Sequence, residues 1–432
     1  MKILVAAWAC NPRQGSEAAV GWGWLSAIKD QHDVHVLTAP YQRDWIQSEI
    51  SRAPDKFSRV QFHCVEPPFL SYNYNSGFWR RQKDIPLLVP IFHRYYHRWM
   101  RAAYRTALDL HRKVHFDLVH QLTFVSFRFP GHLWKLGIPF VWGPIGGLEN
   151  TPWRLLPATG ARGAAYYAGR NLVNSAQKRF LRAPRRAFRR AGAVVAATSG
   201  MQAEIRRWYG ASSEVICEVG SPTESSNEFP LRAPNEPLRI VWSGLHLPGK
   251  ALQLLLHALH GGPENWHLDI YGDGPCRSQW QSLASRLGLD RQCMWHGQVS
   301  RYEAMNGLRH AHLFVVTSLK DLTSNVIVEA LARGVPVICP DHCGFTDVIT
   351  EQCGIKVPIH SPREFERLMA GAIADLGSDE ERRRQLAAGA LRRAREFSWE
   401  MKAPMIDRIY RRAVEKRGPV VIEQMVLSAT DG

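Results

Sequence analysis

The densest chemistry in the chain lies between Thr317 and Ile338. Asp321 and Glu329 are carboxylates with seven residues between them, the first in a loop and the second on a helix expected over Asn325–Arg333. Glu329 interrupts an apolar run of Val326, Ile327, Val328, Ala330 and Leu331, and a buried carboxylate needs a partner. A ribose diol would give it two hydrogen bonds, whereas a half-exposed helix glutamate needs none. The amides of Thr323, Ser324, Asn325 and Val326 fall at the start of the same helix, where unpaired N–H groups and the helix dipole suit a diphosphate. Lys250 ends a strand-to-helix loop, Trp242–Lys250, that also holds Gly244; an ammonium there can meet a phosphate. Gly272 and Gly274 close the next strand and let a ligand approach the backbone.

The N-terminal half carries weaker signals. Gly15 follows the first strand and precedes a helix, with Ser16 as the expected N-cap and Glu17 in the first turn. The three-glycine dinucleotide fingerprint is missing, so a nicotinamide-dependent oxidoreductase is disfavoured. His120 ends another strand, where it either faces a ligand hydroxyl or belongs to the core. Gly143–Gly147 is a small-residue loop after the following strand.

These residues sit on a regular alternation of strands and helices. Strands are expected at Lys2–Ala7, Val34–Thr38, Val60–Val65, Leu118–Leu122, Pro139–Trp142 and Ala193–Ala197. The stretch 221–237, rich in Pro, Ser, Asn and Glu, has no period and reads as a linker. A second series follows at Arg239–Trp242, His267–Tyr271, Cys293–Trp295, Leu313–Thr317, Val335–Cys339 and Gly354–Val357. Such alternation gives parallel sheets with right-handed crossovers. The expected architecture is α/β: two doubly wound halves, 1–220 and 238–396, facing a cleft. The tail after Lys416 has no clear period.

At 432 residues, 45% hydrophobic and 22% charged, the composition is that of an ordinary globular protein and excludes disordered, collagen-like and disulfide-scaffold classes. The opening Met1-Lys2-Ile3-Leu4-Val5 lacks the sections of a signal peptide, and a cytoplasmic location is expected. The eight cysteines have no zinc spacing and read as free thiols. The net charge of +16 is local: segments 79–113 and 170–190 carry nearly all of it. In the first, Phe92, Tyr95, Tyr96, Trp99 and Met100 recur at helical spacing between arginines. Basic helices with aromatics suit an anionic membrane surface, while an aromatic stripe facing its own core is the alternative. Nucleic acid is unlikely on this pattern, because no recognition motif accompanies the charge.

The ordered motifs resemble the family-4 retaining glycosyltransferases. Glu329-Ala330-Leu331-Ala332-Arg333-Gly334-Val335-Pro336-Val337 matches the second part of that family's two-glutamate hallmark. Gly272-Asp273-Gly274-Pro275, Gly297-Gln298-Val299-Ser300 and Phe397-Ser398-Trp399 follow in the family's order. Gly15-Ser16-Glu17-Ala18 with Gly21-Trp22-Gly23-Trp24 is similar to bacterial polysaccharide-assembly members. The resemblance implies a GT-B fold with a C-terminal helix, about 397–418, packed back on the N-terminal domain. It implies a nucleoside diphosphate sugar donor, a lipid-linked or oligosaccharide acceptor, and no cofactor or metal. By it, Glu329 holds the donor ribose, Asp321 contacts the donor sugar and Lys250 neutralises the leaving diphosphate. Backbone near Gln298 and Val299 meets the base, His120 touches the transferred sugar, and Gly15 and Ser16 belong to the loop between diphosphate and acceptor. Asp321 replaces the family's glutamate, one methylene shorter. The family's arginine ahead of the lysine is absent: Leu245 and Gly249 stand nearby, with His246 as the nearest substitute. A binding-only relative without turnover is the alternative function.

Overall fold

The computed structural model describes residues 1–13, 15–67, 89–221, 229–233, 235–262 and 264–416. Residues 79–88 of the first basic segment, residues 222–228 and 234 of the stretch 221–237, and the tail after Lys416 lie outside them. The first sheet contains β1 (Lys2–Ala7), β2 (Asp33–Thr38), β3 (Val60–Cys64), β4 (Leu118–Thr123), β5 (Phe140–Ile145), β6 (Ala193–Ala196) and β7 (Glu214–Val215). Its order is β3-β2-β1-β4-β5-β6-β7, and the pairings are parallel. Around it run α1 (Glu17–Ile28), α2 (Arg43–Arg52), α3 (Val89–Val114), α4 (Gly160–Phe180), α5 (Arg182–Arg190) and α6 (Ser199–Tyr209).

The second sheet holds β8 (Leu238–Ser243), β9 (Trp266–Tyr271), β10 (Cys293–Gly297), β11 (Leu313–Val315), β12 (Val337–Pro340) and β13 (Gly354–Val357). They run parallel in the order β10-β9-β8-β11-β12-β13. Its helices are α7 (Leu252–His260), α8 (Arg277–Arg286), α9 (Arg301–Leu308), α10 (Asn325–Leu331), α11 (Gly344–Val348), α12 (Pro362–Ser378) and α13 (Glu380–Glu396). Two Rossmann-like α/β units therefore face one another, the GT-B arrangement. Helices cover both faces of each sheet, which is why the strands read as continuous apolar runs: Ile3, Leu4, Val5, Ala6 and Ala7 are all buried. Strand order reverses between β1 and β4 and again between β8 and β11, and the loops after these four strands meet in the cleft.

The last helix, α14 (Trp399–Glu415), returns to the first unit and lies along α1. A hydrogen-bond chain fixes it there. Trp24 Nε1 donates to the Tyr410 hydroxyl at 2.9 Å, and that hydroxyl donates to His120 Nδ1 at 2.8 Å. His120 Nε2 then donates to the Gly143 carbonyl at 2.7 Å. His120 is fully buried, and burial lowers its pKa to about 4, so the neutral ring serves the chain. The expected contact of His120 with a sugar is thus corrected: both ring nitrogens are spent on fixing a helix.

The expectation for segment 79–113 also divides. Tyr95, Tyr96 and Trp99 of α3 are buried against Trp8, with ring centroids 5.4, 5.5 and 5.1 Å from it. Their stripe belongs to the core, because each buried aromatic removes a large apolar area from water. Arg94, Arg101 and Arg105 are exposed on the opposite side.

Candidate active site

The loop after β8 brings Lys250 to the cleft. Its backbone is held by Thr317, whose hydroxyl donates to the Lys250 carbonyl at 2.6 Å and accepts from Trp242 Nε1 at 2.9 Å. The ammonium donates to Asp321 Oδ2 at 2.6 Å, and both side chains are about a quarter exposed (25% and 27%). Asp321 Oδ1 accepts from the Leu322 amide at 3.0 Å, which orients the carboxylate. The shorter aspartate therefore reaches the lysine directly.

Helix α10 starts beside this pair. Ser324 precedes it with φ +72° and makes no side-chain cap, leaving the first-turn amides uncapped where Ser324, Asn325 and Val326 line the cavity. Thr323 is a correction: its amide and hydroxyl both donate to Glu218, at 3.0 and 3.1 Å, so it backs the cradle and cannot serve a ligand. One turn into α10, Glu329 is 4% exposed and accepts from Arg301 Nε at 2.8 Å and Nη2 at 2.5 Å. The partner that a buried carboxylate requires is here a guanidinium, itself half exposed at the cavity. Gln298 and Val299, after β10, line the same wall, and Ser300 caps α9 in a reciprocal box with Glu303. Gly244 and Gly272 also line it; a Cβ on Gly272 (φ +112°) would stand 2.0 Å from the Gly244 carbonyl, so the two loops touch only because a glycine is there.

The first unit closes the cavity with Gly15, Ser16, Glu17 and Val125. Ser16 is not the expected cap: at φ +57° and ψ −137° its side chain makes no cap bond, and it faces the cavity instead. Glu17 accepts from the Val125 amide at 3.2 and 3.1 Å. Burial pushes its pKa up to about 7, and the charge of Glu218 adds to the shift. Glu218 is 4% exposed, and burial pushes it up to about 7 as well. The cavity is an open cleft of about 520 Å³.

Arg301 and Glu218 were not singled out from sequence. Glu218 carried a usable signal, a lone acid among Ile216, Cys217 and Val219, the same pattern that marks Glu329. His246 is no substitute for the missing arginine. It packs among Trp242, Trp280 and Trp295, and burial lowers its pKa to about 4.

A second lobe of about 320 Å³ shares Val125, Lys250, Asp321 and Leu322 with the first and is walled by Gly147, Thr151, Tyr167, Arg170 and Lys320. Beside it, Glu149, His342 and Cys343 bring ligand-type atoms within 4.8 Å of one another. Lys320 Nζ donates to the Glu149 carbonyl at 2.5 Å, placing an ammonium where a dication would sit close by. All eight cysteines are free thiols. No helix among the described residues is long and apolar enough to cross a membrane.

Comparisons with known proteins agree with this geometry. Residues 224–393 match the family model described as glycosyl transferases group 1. D-inositol 3-phosphate glycosyltransferase of Nocardioides sp. is 32% identical over 191 residues, covering 43% of this chain and 40% of that one. The chain thus matches less than half the length of this relative. Sucrose-phosphate synthase of Thermosynechococcus elongatus superposes with a TM-score of 0.62 at 17% identity, over 95% of this chain and 98% of that one. Anabaena HepE in complex with UDP superposes at 0.56 and 15% identity, over 94% and 99%.

Proposed function

We propose that this chain is a glycosyltransferase moving a sugar from a nucleoside diphosphate sugar to a hydroxyl of a lipid-linked glycan, in cell-surface or exopolysaccharide synthesis. The observation that carries the reading is the single cavity in which Lys250, Asp321, Glu329 and the uncapped start of α10 converge opposite Gly15, Ser16 and Glu17. Glu329 takes the donor ribose, exchanging the Arg301 guanidinium for two hydroxyls. Lys250 and the α10 amides take the diphosphate, whose negative charge grows as the glycosidic bond breaks. Asp321, freed from Lys250 by the arriving phosphate, accepts hydrogen bonds from the sugar. Positive charge from side chain and helix replaces a metal clamp, and the chain contains no Asp-x-Asp motif that would supply one. The anomeric configuration is retained by a same-face displacement in which the leaving phosphate oxygen takes the acceptor proton. The UDP bound in a structurally similar protein supports a nucleotide donor.

The acceptor reading rests on helices α4 and α5. Helix α4 buries Asn171, Asn174 and Lys178 and exposes Tyr166, Leu172, Val173 and Phe180 (60, 64, 56 and 71%). This polarity is the reverse of a soluble surface helix. Arg162, Arg170, Arg179, Arg182 and Arg186 surround the apolar side chains, as on a helix lying on an anionic bilayer. The protein is accordingly a cytoplasmic enzyme held at the inner membrane surface.

The donor reading is tested by calorimetry with a panel of nucleoside diphosphates on the wild type and Glu329→Ala. Selective binding that weakens about tenfold or more in the variant is expected, the cost of losing hydrogen bonds to a charged group. No binding at millimolar nucleotide sinks the donor reading, and an inverted product removes the retaining mechanism.

A further inference from the structure

Lys250 stands on a backbone turn that does not hold its shape alone. The short 3₁₀ turn Pro248–Lys250 ends in Ala251 at φ +47° and ψ +42°. A residue with a Cβ keeps this left-handed conformation where the surrounding structure imposes it. Two restraints come from the second unit itself. The Leu319 amide donates to the Gly249 carbonyl at 2.8 Å, and the Thr317 hydroxyl donates to the Lys250 carbonyl at 2.6 Å. Both donors lie just ahead of Asp321, so the turn and the aspartate loop are fastened together.

Further restraints cross from the first unit. Between β5 and α4 the chain runs through a helical stretch, Trp153–Thr159, whose Leu155 is fully buried in the same core cluster as Ala251 and Leu252. Gln253, in the first turn of α7, donates from Nε2 to the Ala158 carbonyl at 2.7 Å. Helix α4 then begins against the turn. A Cβ on Gly163 would stand 3.8 Å from the Pro248 Cβ, and one on Gly249 would stand 2.4 Å from the Tyr167 hydroxyl. Gly163 and Tyr167 are four residues apart and share one face of α4. Gly249 is thus abutted by Tyr167 at its α-carbon and tied to Leu319 at its carbonyl, one residue ahead of the lysine.

We propose that Tyr167 is a positioning residue for Lys250: through Gly249 it fixes the turn that holds the ammonium at Asp321, beside the start of α10. The role rests on the glycosyltransferase reading, which gives Lys250 a diphosphate to meet. A cradle built in the second unit is then completed by a helix of the first, the same helix whose outer face carries Leu172, Val173 and Phe180. Loss of the tyrosine leaves the ammonium in place on a backbone with one restraint fewer. Misplacing such a group by about 1 Å costs up to about a hundredfold.

The test is calorimetric titration of UDP and of pyrophosphate into the full chain and its variants. Tyr167→Ala should bind both about tenfold more weakly than wild type, although the tyrosine itself touches neither. In the Lys250→Ala background the same substitution should cost nothing further, because a residue that acts through the lysine has nothing left to position. Gly249→Ala should match the loss in Tyr167→Ala, since its methyl group must displace either the tyrosine or the turn. Combining the two should add little to either, and Gly249→Ala carries the same test if Tyr167→Ala does not fold. Wild-type affinity in either single variant overturns the proposal. So do losses from Tyr167→Ala and Lys250→Ala that multiply in the double variant, the result expected of a tyrosine that only stabilises the fold. Both results leave the transferase reading standing while the wild type binds UDP. Wild-type affinity in Lys250→Ala removes the lysine's role and the tyrosine's with it, and a wild type that binds neither ligand removes the donor reading as well.

Discussion

At the residue scale, the cleft is set by carboxylates that cannot all be charged. Glu218 keeps its proton to about pH 7 in the folded chain, against an ordinary value of 4.5, because burial disfavours its anion. The folded state therefore binds more protons than the unfolded state between those values, so stability falls as pH rises through that window and levels off above it. Glu218→Gln keeps an oxygen for the Thr323 amide and removes the titration. It should raise stability by on the order of 3 kcal/mol at pH 8 and change little near pH 4.5, read as a melting-temperature gap that opens with pH. A gap of equal size at both pH values would mean that Glu218 is ionised throughout. That Glu329 needed a partner was legible from its apolar neighbours, but the identity of the partner was not. Arg301 lies 28 residues away and Glu218 lies 105 residues from Thr323, separations fixed only once both sheets are assembled.

At the element scale, the strands were legible and the caps were not. Parallel strands covered on both faces are mostly apolar, so Leu238–Ser243 and Gly354–Val357 stand out within a residue or so of their ends despite Arg239 and Lys356. Only β7, two residues long, is too short to leave a pattern. Ser16 has the composition of an N-cap, yet it takes a positive φ, makes no cap bond and lines the cavity. An aromatic stripe likewise announces an apolar face without saying what covers it: in α3 it is Trp8. Helix α14 depends on small residues in its partners. A Cβ on Gly23 of α1 or on Gly220 would stand 2.1 Å from the Trp399 indole, and Lys402 Nζ donates to the carbonyls of Cys217 and Val219. Gly23→Ala should therefore unseat the helix, costing about 1–3 kcal/mol as overpacking does and lowering the melting temperature. Gly169→Ala, in α4 with open space around it, should be neutral or stabilising by about 0.5–1 kcal/mol. If circular-dichroism melts of the two variants move together, the close packing of Trp399 is not what holds α14.

At the scale of the whole molecule, charge, apolar surface and cleft lie on connected parts of the first unit. Helix α4 carries the exposed Leu172, Val173 and Phe180, while its Tyr167 and Arg170 wall the second lobe. A bilayer under this helix would hold a lipid-linked acceptor close to the cavity it must enter, so that docking and catalysis share one orientation. Exposed arginines contribute about 1 kcal/mol each at an anionic surface, and the apolar side chains add insertion that salt does not screen. Wild type should therefore float with phosphatidylglycerol vesicles at physiological salt and far less with neutral phosphatidylcholine. The triple variant Leu172→Ser, Val173→Ser, Phe180→Ser should lose about tenfold or more of that binding, since each side chain forfeits part of a burial term of about 1.5–3 kcal/mol. Its melting temperature should hold, because none of the three contributes to the core. Equal flotation of variant and wild type would show that the arginines act alone through a screened, salt-sensitive attraction, and the apolar face of α4 would then need another occupant.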